Sequence, residues 1–280
     1  KNKLYDGFYP QWGSKKPVHI IGHSQGGQTA KQLEVLLKKI IKNENSFLLS
    51  NNLSGWIKSI TTISTPHNGT TLVPIMLDFF PFLLDLAPWL AGIDIASINE
   101  IYNFDLEHWG IKRLKGESLI TYYNRIGKSN LANSKNLCSW DLSLEGSNEF
   151  NNNYMIDSSV YYFSFSTSAT RQKKGSPYHK PKKFMSLHLR PTARLIANYT
   201  LSPDSTWYEN DGICNTISMH GPASEKIINF TGTPVKGAWQ KMAPLSMDHQ
   251  AVIGHSSNKK NNKNIVALYN KHIGFLKTLK

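Results

Sequence analysis

Apolar residues near the start of the chain follow two spacings, one directly after the other. Residues 17–21, PVHII, form a short run rich in β-branched side chains between a proline and a glycine, which predicts a buried strand. Apolar positions then recur at helical intervals, with polar residues such as Lys31 and Glu34 between them. They are Ala30, Leu33, Leu36, Leu37, Ile40 and Ile41. The pattern predicts a strand, a tight turn and an amphipathic helix.

Three later segments extend this α/β pattern. Residues 57–64, IKSITTIS, predict a second strand. Residues 76–96 are long and apolar, but three aspartates and two prolines within them argue against a transmembrane helix. A buried core helix and a mobile lid over a binding site remain as alternatives. Residues 258–280 predict a basic linker, NKKNNKN, and then a helix that closes the sheet.

Composition places the chain among globular proteins. Hydrophobic residues make up 40% of the sequence, with 19 glycines and 13 prolines, and no repeat is present. We expect one α/β unit. The two cysteines, Cys138 and Cys214, do not form a disulfide framework or a CxxC metal motif. The chain begins at Lys1 without a signal-peptide pattern, so we expect a fragment or a processed product.

The formal net charge is +13, with basic residues densest at 171–174, 180–183 and 259–263. Such an excess favours a solvated basic surface, an anionic lipid interface or nucleic acid. No nucleic-acid-binding motif accompanies the charge, so we expect no nucleic-acid partner.

A serine lies between the first predicted strand and helix, in GHSQGG. The GxSxG pattern is weak by itself, but its flanking strand and helix are what a nucleophile elbow requires. Gly22 and Gly26 would let the strand and the helix cross closely. Ser24 is therefore our candidate nucleophile, and a serine in an ordinary glycine-rich loop is the alternative.

A nucleophilic serine needs a base and an orienting acid, which follow it in chain order in this fold class. Asp211 lies on an Asp-Gly turn signal and His249 follows it by 38 residues. A turn-forming aspartate and a surface histidine are the respective alternatives. His67 comes too early in the chain, and we interpret it as structural or pocket-lining. The histidines late enough to serve are His179, His188, His220, His249, His255 and His272.

The chain resembles the secreted lipases of staphylococci and thermophilic bacilli, which are α/β hydrolases acting on long-chain esters. Matching segments between about residues 9 and 254 include VHIIGHSQGGQTAKQL, SITTISTPHNGTTLV, EIYNFDLEHWGIKR, WDLSLEGSNEFN, VYYFSFSTSAT, NDGICNTISMHGP and MDHQAVIG. The resemblance implies one α/β-hydrolase domain over residues 1–280, with a mainly parallel sheet flanked by helices. It also implies a helical lid within residues 70–130, while the first core strands would be missing.

The resemblance assigns roles to four residues. Ser24 would be the nucleophile, Asp211 the acid, and His249 the base that later protonates the leaving alcohol. The backbone N–H of Gln25 would bind the oxyanion of the tetrahedral intermediate. Family members supply the other oxyanion donor from an upstream segment, which we expect to be absent here.

The metal sites of that family are not retained in this sequence. Its zinc site uses two histidines and an aspartate from the upstream region together with the residue matching Asp141, and one carboxylate cannot hold zinc. The family's calcium ligands fall at Ala251, Ser256 and Ser257, which lack carboxylates. We expect neither metal to bind tightly, and no cofactor.

The function implied is hydrolysis of carboxylic esters, triacylglycerols above all, at a lipid–water interface. A phospholipase or short-chain esterase is one alternative, and an inactive fragment or lipid-binding remnant is another. The resemblance also implies a secreted protein; the sequence leaves its oligomeric state open. The lid would contribute an acyl-binding surface from Phe79, Phe80, Phe82, Leu83, Leu86, Trp89 and Leu90.

Overall fold

The computed structural model describes residues 11–40, 50–78, 134–255 and 259–280, with residues 112, 114–117, 121, 122 and 125 between them. In chain order, its elements are β1 (Val18–His23), α1 (Gln25–Lys38), β2 (Ile57–Ile63), α2 (Leu72–Asp78), α3 (Cys138–Leu142), α4 (Leu144–Asn153), β3 (Tyr161–Phe165), β4 (Thr170–Gln172), β5 (His179–Pro181), α5 (Arg190–Ile196), β6 (Ile227–Asn229), β7 (Trp239–Lys241) and α6 (Lys259–Leu276). Short 3-10 turns occur at Leu187–Leu189, Ser205–Tyr208, Thr216–His220 and Ala251–Ile253.

Five of the described strands form one parallel sheet in the order β1-β2-β3-β7-β6. The strands predicted at 17–21 and 57–64 are its first two members. β2 and β3 are buried almost throughout, as parallel strands covered on both faces must be. Because the strands are parallel, β1, β2 and β3 end at the same edge of the sheet, at His23, Ile63 and Phe165.

Helices cover both faces of this sheet. Tyr162 of β3 packs in one cluster with Ala30 and Leu37 of α1. Its neighbours Tyr161 and Phe163 pack instead with Leu276 of α6. Successive side chains of a strand point to opposite faces, so α1 and α6 lie on opposite sides of the sheet. The predicted α/β-hydrolase architecture, a parallel sheet flanked by helices, is confirmed.

The polar face of α1 is largely buried, which its sequence pattern does not predict. Lys31 is fully buried, and its Nζ donates to Asn151 Oδ1 of α4 at 2.8 Å. Burial lowers the pKa of Lys31 to about 7, although Glu225 and Glu34 act in the opposite direction. Glu34 accepts hydrogen bonds from the Tyr154 and Tyr162 hydroxyls. These bonds tie α1 to α4 and β3 through polar contacts.

Two expectations about less regular segments have different outcomes. The prediction of a basic linker over residues 258–264 is wrong, because α6 already begins at Lys259. Helix formation is cooperative, so the packed positions from Ile265 onward extend into the lysine- and asparagine-rich turns before them. The predicted lid within residues 70–130 lies mostly outside the described residues, which include α2 at its start. None of the described helices has the length and apolar character to cross a membrane.

Candidate active site

Ser24 lies between the end of β1 and the start of α1 in a strained backbone conformation. Its φ and ψ are 54° and −130°. Such a conformation in a residue other than glycine costs on the order of 1–3 kcal/mol and persists only where its surroundings hold it. Here the Ser24 N–H donates to the Ile63 carbonyl at 2.9 Å, and the Ser24 carbonyl accepts from Thr65 Oγ1 at 2.8 Å. The turn places the serine at the carboxyl edge of the sheet.

Two glycines make this turn possible, and they are not both the predicted ones. A Cβ on Gly22 would lie 2.5 Å from the Gly26 carbonyl carbon, so the predicted close approach at Gly22 is present. A Cβ on Gly26 would have no heavy atom within 4 Å, and the prediction for that residue is wrong. The second tight position is Gly27, where a Cβ would lie 2.1 Å from Thr65 Oγ1.

The structure brings Ser24, His249 and Asp211 into one chain of hydrogen bonds. Ser24 Oγ lies 2.9 Å from His249 Nε2, and His249 Nδ1 lies 2.8 Å from Asp211 Oδ2. His249 is 7% exposed, so it is not the surface histidine of the alternative interpretation. Asp211 is fully buried and bonds His249 in addition to the N–H groups of its own turn. Ser24 follows β1 and His249 follows β7, while Asp211 lies between the 3-10 turns at Ser205–Tyr208 and Thr216–His220.

Four donors among the described residues surround the Asp211 carboxylate. Oδ1 accepts from the Ile213 and Cys214 N–H groups, and Oδ2 accepts from Thr167 Oγ1 as well as from His249. Burial alone would raise the pKa of Asp211. The charge of His249 and these hydrogen bonds outweigh that effect and hold the pKa below its usual range. Asp211 is therefore an acceptor only, which assigns the Nδ1 proton to His249 and leaves Nε2 free to accept from Ser24.

Side-chain and backbone hydrogen bonds fix the loop that carries His249. The neighbouring Asp248 is buried, and its Oδ2 accepts from both the N–H and the Oγ of Ser186 at 2.9 Å. The His249 N–H donates to the Asp211 carbonyl at 3.1 Å. Sequence reasoning missed Asp248, because its partner is 62 residues away and no local pattern marks the pair.

His23 also contacts the loop that carries His249. Its Nε2 lies 3.0 Å from the His249 carbonyl oxygen, and the two rings are 4.6 Å apart between centroids. Burial and the nearby His249 lower the pKa of His23 to about 4, against smaller opposing effects from Asp211 and this hydrogen bond. His23 is neutral at physiological pH and donates to the carbonyl.

Four of the other histidines contact side chains outside the hydrogen-bonded chain of Ser24, His249 and Asp211. His272 is buried against Phe163 and Phe165, with Nε2 2.8 Å from Thr61 Oγ1. His67 is fully buried, with Nε2 2.9 Å from Thr62 Oγ1, so the structural interpretation of this residue is confirmed. The remaining contacts are His179 with Thr170 and His188 with Gln250.

Gln25 begins α1 directly after Ser24. The first N–H groups of a helix have no acceptor within the helix, and the positive end of the helix dipole lies with them. A cavity of about 200 Å³ adjoins this helix start. It is lined by Gln25, Gln28, Thr29, Gln32, Asp141 and Phe150.

The described residues do not provide a zinc site around Asp141. The one described group of three possible ligands is Asp211, Cys214 and His249, and two of these already bond to each other. At the predicted calcium position, Ala251 is buried in a 3-10 turn and offers no side-chain oxygen. Ser256 and Ser257 lie outside the described residues. The expectation that neither metal binds tightly stays a prediction.

A parallel sheet with a strained serine between strand and helix, and with histidine and aspartate on later loops, is the architecture of the α/β hydrolases. Within that class, the chain belongs to the family of the lipase-like C-terminal domain, whose model matches residues 1–277. The resemblance seen in the sequence is confirmed.

Three relatives illustrate the similarity. Lipase 1 of Staphylococcus aureus is 32% identical over 267 residues, which cover 91% of this chain and 38% of that protein. The structure of EstA from Clostridium botulinum has a TM-score of 0.78 at 31% identity, covering 94% of this chain and 66% of that one. The structure of lipase 1 from Pelosinus fermentans has a TM-score of 0.76 at 34% identity, covering 98% and 76%. The chain thus spans well under half the length of the curated relative.

We predict different effects on stability for alanine at two adjacent glycines of the elbow. Gly27→Ala should lower the free energy of unfolding by about 1–3 kcal/mol, because its Cβ would overlap Thr65. Gly26→Ala is the matched control. Its Cβ has open space around it, so the change should be neutral or should stabilise by up to about 1 kcal/mol. Urea denaturation measures both, and equal effects of the two substitutions would contradict the packing described above.

We also predict a pH dependence of stability that arises from His23. Its pKa is about 4 in the folded protein and 6.5 as the ordinary value, so the folded state disfavours the charged form. The stability from this group is complete above pH 6.5 and is lost as the pH falls through 4. His23→Phe keeps a ring against His249 but cannot titrate. The wild type should therefore lose stability relative to His23→Phe as the pH falls from 6.5 to 4, and a difference in free energy of unfolding that stays constant over this range would contradict the prediction.

Proposed function

We propose that the protein is a carboxylic ester hydrolase that acts through an acyl-enzyme on Ser24. The observation that supports this proposal is the continuous hydrogen-bonded chain from Ser24 through His249 to Asp211, at 2.9 and 2.8 Å. Serine is a weak nucleophile until a base removes its proton, and this arrangement supplies the base and orients it.

His249 moves the protons in this mechanism. Its Nε2 takes the Ser24 proton as Oγ attacks the acyl carbon, and a tetrahedral intermediate forms. The intermediate collapses when Nε2–H protonates the leaving alcohol. Water then attacks the acyl-enzyme with the same base, and the carboxylic acid and free Ser24 are released. Asp211 stays ionised throughout and stabilises the positive charge on His249.

The start of α1 supports stabilisation of the developing oxyanion. Gln25 follows the nucleophile directly, so its N–H lies where this fold class places one oxyanion donor. The positive end of the helix dipole adds to the effect. Removing one such donor typically costs about 100-fold or more in rate. No second donor is assigned among the described residues.

We further propose that the natural substrates are long-chain esters, triacylglycerols above all. The support is that the S. aureus and P. fermentans relatives are both named lipase 1. A phospholipid or a short-chain ester is the alternative substrate class. The apolar lid stays a prediction, because its residues 79–90 lie outside the described part of the chain. The extracellular location also stays a prediction.

Loss of the nucleophile should abolish labelling. Ser24→Ala should lose both reaction with a fluorophosphonate probe and ester turnover, because no other described hydroxyl contacts His249 Nε2. Ser54→Ala, at an exposed serine, is the control and should label like the wild type. Labelling that survives Ser24→Ala, read by mass spectrometry, would exclude Ser24 as the nucleophile.

The orienting acid can be tested separately. Asp211→Asn keeps the shape of the side chain but presents an N–H to His249 Nδ1, so Nε2 carries the proton and cannot accept from Ser24. We expect kcat to fall by about 10⁴-fold. Asp204→Asn is the matched control, at an exposed aspartate that caps a 3-10 turn. Comparable activity of the two variants would contradict the role of Asp211 as the orienting acid.

Substrate class is tested with nitrophenyl esters from acetate to palmitate. A lipase of the proposed kind should show kcat/KM that rises toward the longer acyl chains, because a longer chain buries more apolar surface in the transition state. A maximum at acetate or butyrate would favour a short-chain esterase. Faster hydrolysis of phospholipid than of triacylglycerol emulsions would favour a phospholipase.

A further inference from the structure

Charge is distributed unevenly along the chain. Residues 158–203 contain no aspartate or glutamate, although the chain as a whole has 19 acidic residues. The basic residues within this span are Arg171, Lys173, Lys174, Lys180, Lys182, Lys183, Arg190 and Arg194. This span of 46 residues therefore carries only positive formal charges, and none of its basic residues has a role in the proposed catalysis.

The β4–β5 hairpin sets two of these cations directly opposite each other. Arg171 and Lys180 are cross-strand partners, and both are exposed. Like charges in this position destabilise a strand pair. Neither side chain forms an ion pair with another described residue. An anion bound between them would offset the repulsion, so the hairpin is better suited to an anionic partner than to water alone.

The hairpin also borders a shallow, open surface that is rich in basic residues. An open depression of about 710 Å³ is lined by residues 171–177 and Lys180. Lys174 and Lys180 are exposed there, while Lys173 is held by Asn198 Oδ1 at 2.6 Å. Lysine ammonium groups with no carboxylate among them favour phosphate-type anions.

Exposed apolar side chains follow the hairpin directly. Phe184 is 46% exposed and Leu187 is 72% exposed. They flank Ser186, which donates to Asp248 Oδ2, and His188 next to them bonds Gln250 Oε1 at 2.6 Å. The apolar pair therefore lies in a turn that is tied to both neighbours of His249.

We propose that residues 171–187, the basic segment, dock the protein on an anionic lipid–water interface. The lysines and Arg171 would contact lipid phosphates, and Phe184 and Leu187 would enter the boundary between headgroups and acyl chains. Cations next to exposed apolar side chains fit a lipid surface better than nucleic acid, whose backbone offers no partner for Leu187. The proposal rests on the proposed function in one respect, namely that the substrate is a lipid.

Charge reversal within the basic segment tests the proposal. The variant Lys174→Glu, Lys180→Glu, Lys183→Glu places a glutamate opposite Arg171, which favours the hairpin fold. The control variant reverses three exposed lysines on and after α6, Lys263→Glu, Lys271→Glu, Lys277→Glu, with the same change in net charge. Binding is measured by cosedimentation with vesicles of phosphatidylglycerol and phosphatidylcholine, without reference to turnover.

We expect the basic-segment variant to bind anionic vesicles on the order of 100-fold more weakly, since each basic residue near such a surface contributes about a fivefold factor. The control variant should retain most of the binding, and Phe184→Ser with Leu187→Ser should weaken it at high salt as well. Equal losses in both charge-reversal variants would overturn the proposal, as would tighter binding to a duplex DNA oligonucleotide than to the vesicles.

Hydrolysis of soluble nitrophenyl butyrate separates this proposal from the catalytic one. The basic-segment variant should hydrolyse this ester at the wild-type rate, because its three lysines contact none of Ser24, His249 and Asp211. A wild type that binds vesicles but hydrolyses no ester contradicts the proposed function and supports the docking surface. A wild type that hydrolyses the soluble ester but sediments equally with neutral and anionic vesicles contradicts the docking surface alone.

Discussion

The close crossing of β1 and α1 is the constraint on which the candidate site depends. Ser24 has a positive φ because the chain must reverse from strand to helix within one residue. That reversal is possible only where Gly22 faces the backbone of Gly26 and Gly27 faces Thr65. The Ile63 carbonyl then holds the Ser24 N–H at the adjoining end of β2. The position of the serine hydroxyl is therefore set by packing between the sheet and its first helix.

Buried polar groups keep that helix in place. Lys31 and Glu34 lie inside the protein, and each makes hydrogen bonds to α4 or to the strand and turn that follow it. Asn151 continues the connection, because its Nδ2 donates to the His67 carbonyl at 2.8 Å. Unpaired buried charges are costly, so these groups are stable only in the one arrangement that satisfies them. The network thereby specifies how α1 sits behind the nucleophile.

Local patterns predicted the parts of this site that lie close together in sequence. The strand, the turn and the helix around Ser24 follow from apolar spacing, and the Asp-Gly turn at Asp211 follows from glycine's tolerance of a positive φ, here 107° at Gly212. Thr167 and Asp248 could not be identified in this way. Their partners are 44 and 62 residues away, and hydroxyl and carboxylate side chains with such partners have no distinguishing local pattern. The lysine-rich start of α6 was predicted as a linker because local composition carries no information about the packing further along the helix.

The electrostatics of the site depends on two neighbours of His249 with opposite protonation behaviour. Asp211 is ionised, because its hydrogen bonds and the charge of His249 outweigh its burial. His23 is neutral, because burial lowers its pKa to about 4. A cationic His23 at this distance would repel the imidazolium that forms on His249, whereas a neutral one donates a hydrogen bond to its carbonyl. The negative charge of Asp211 and the absence of a positive charge on His23 both favour proton transfer from Ser24 to His249. Burial disfavours the charged form of both groups. At Asp211 the charge of His249 and the hydrogen bonds outweigh it, whereas at His23 burial prevails.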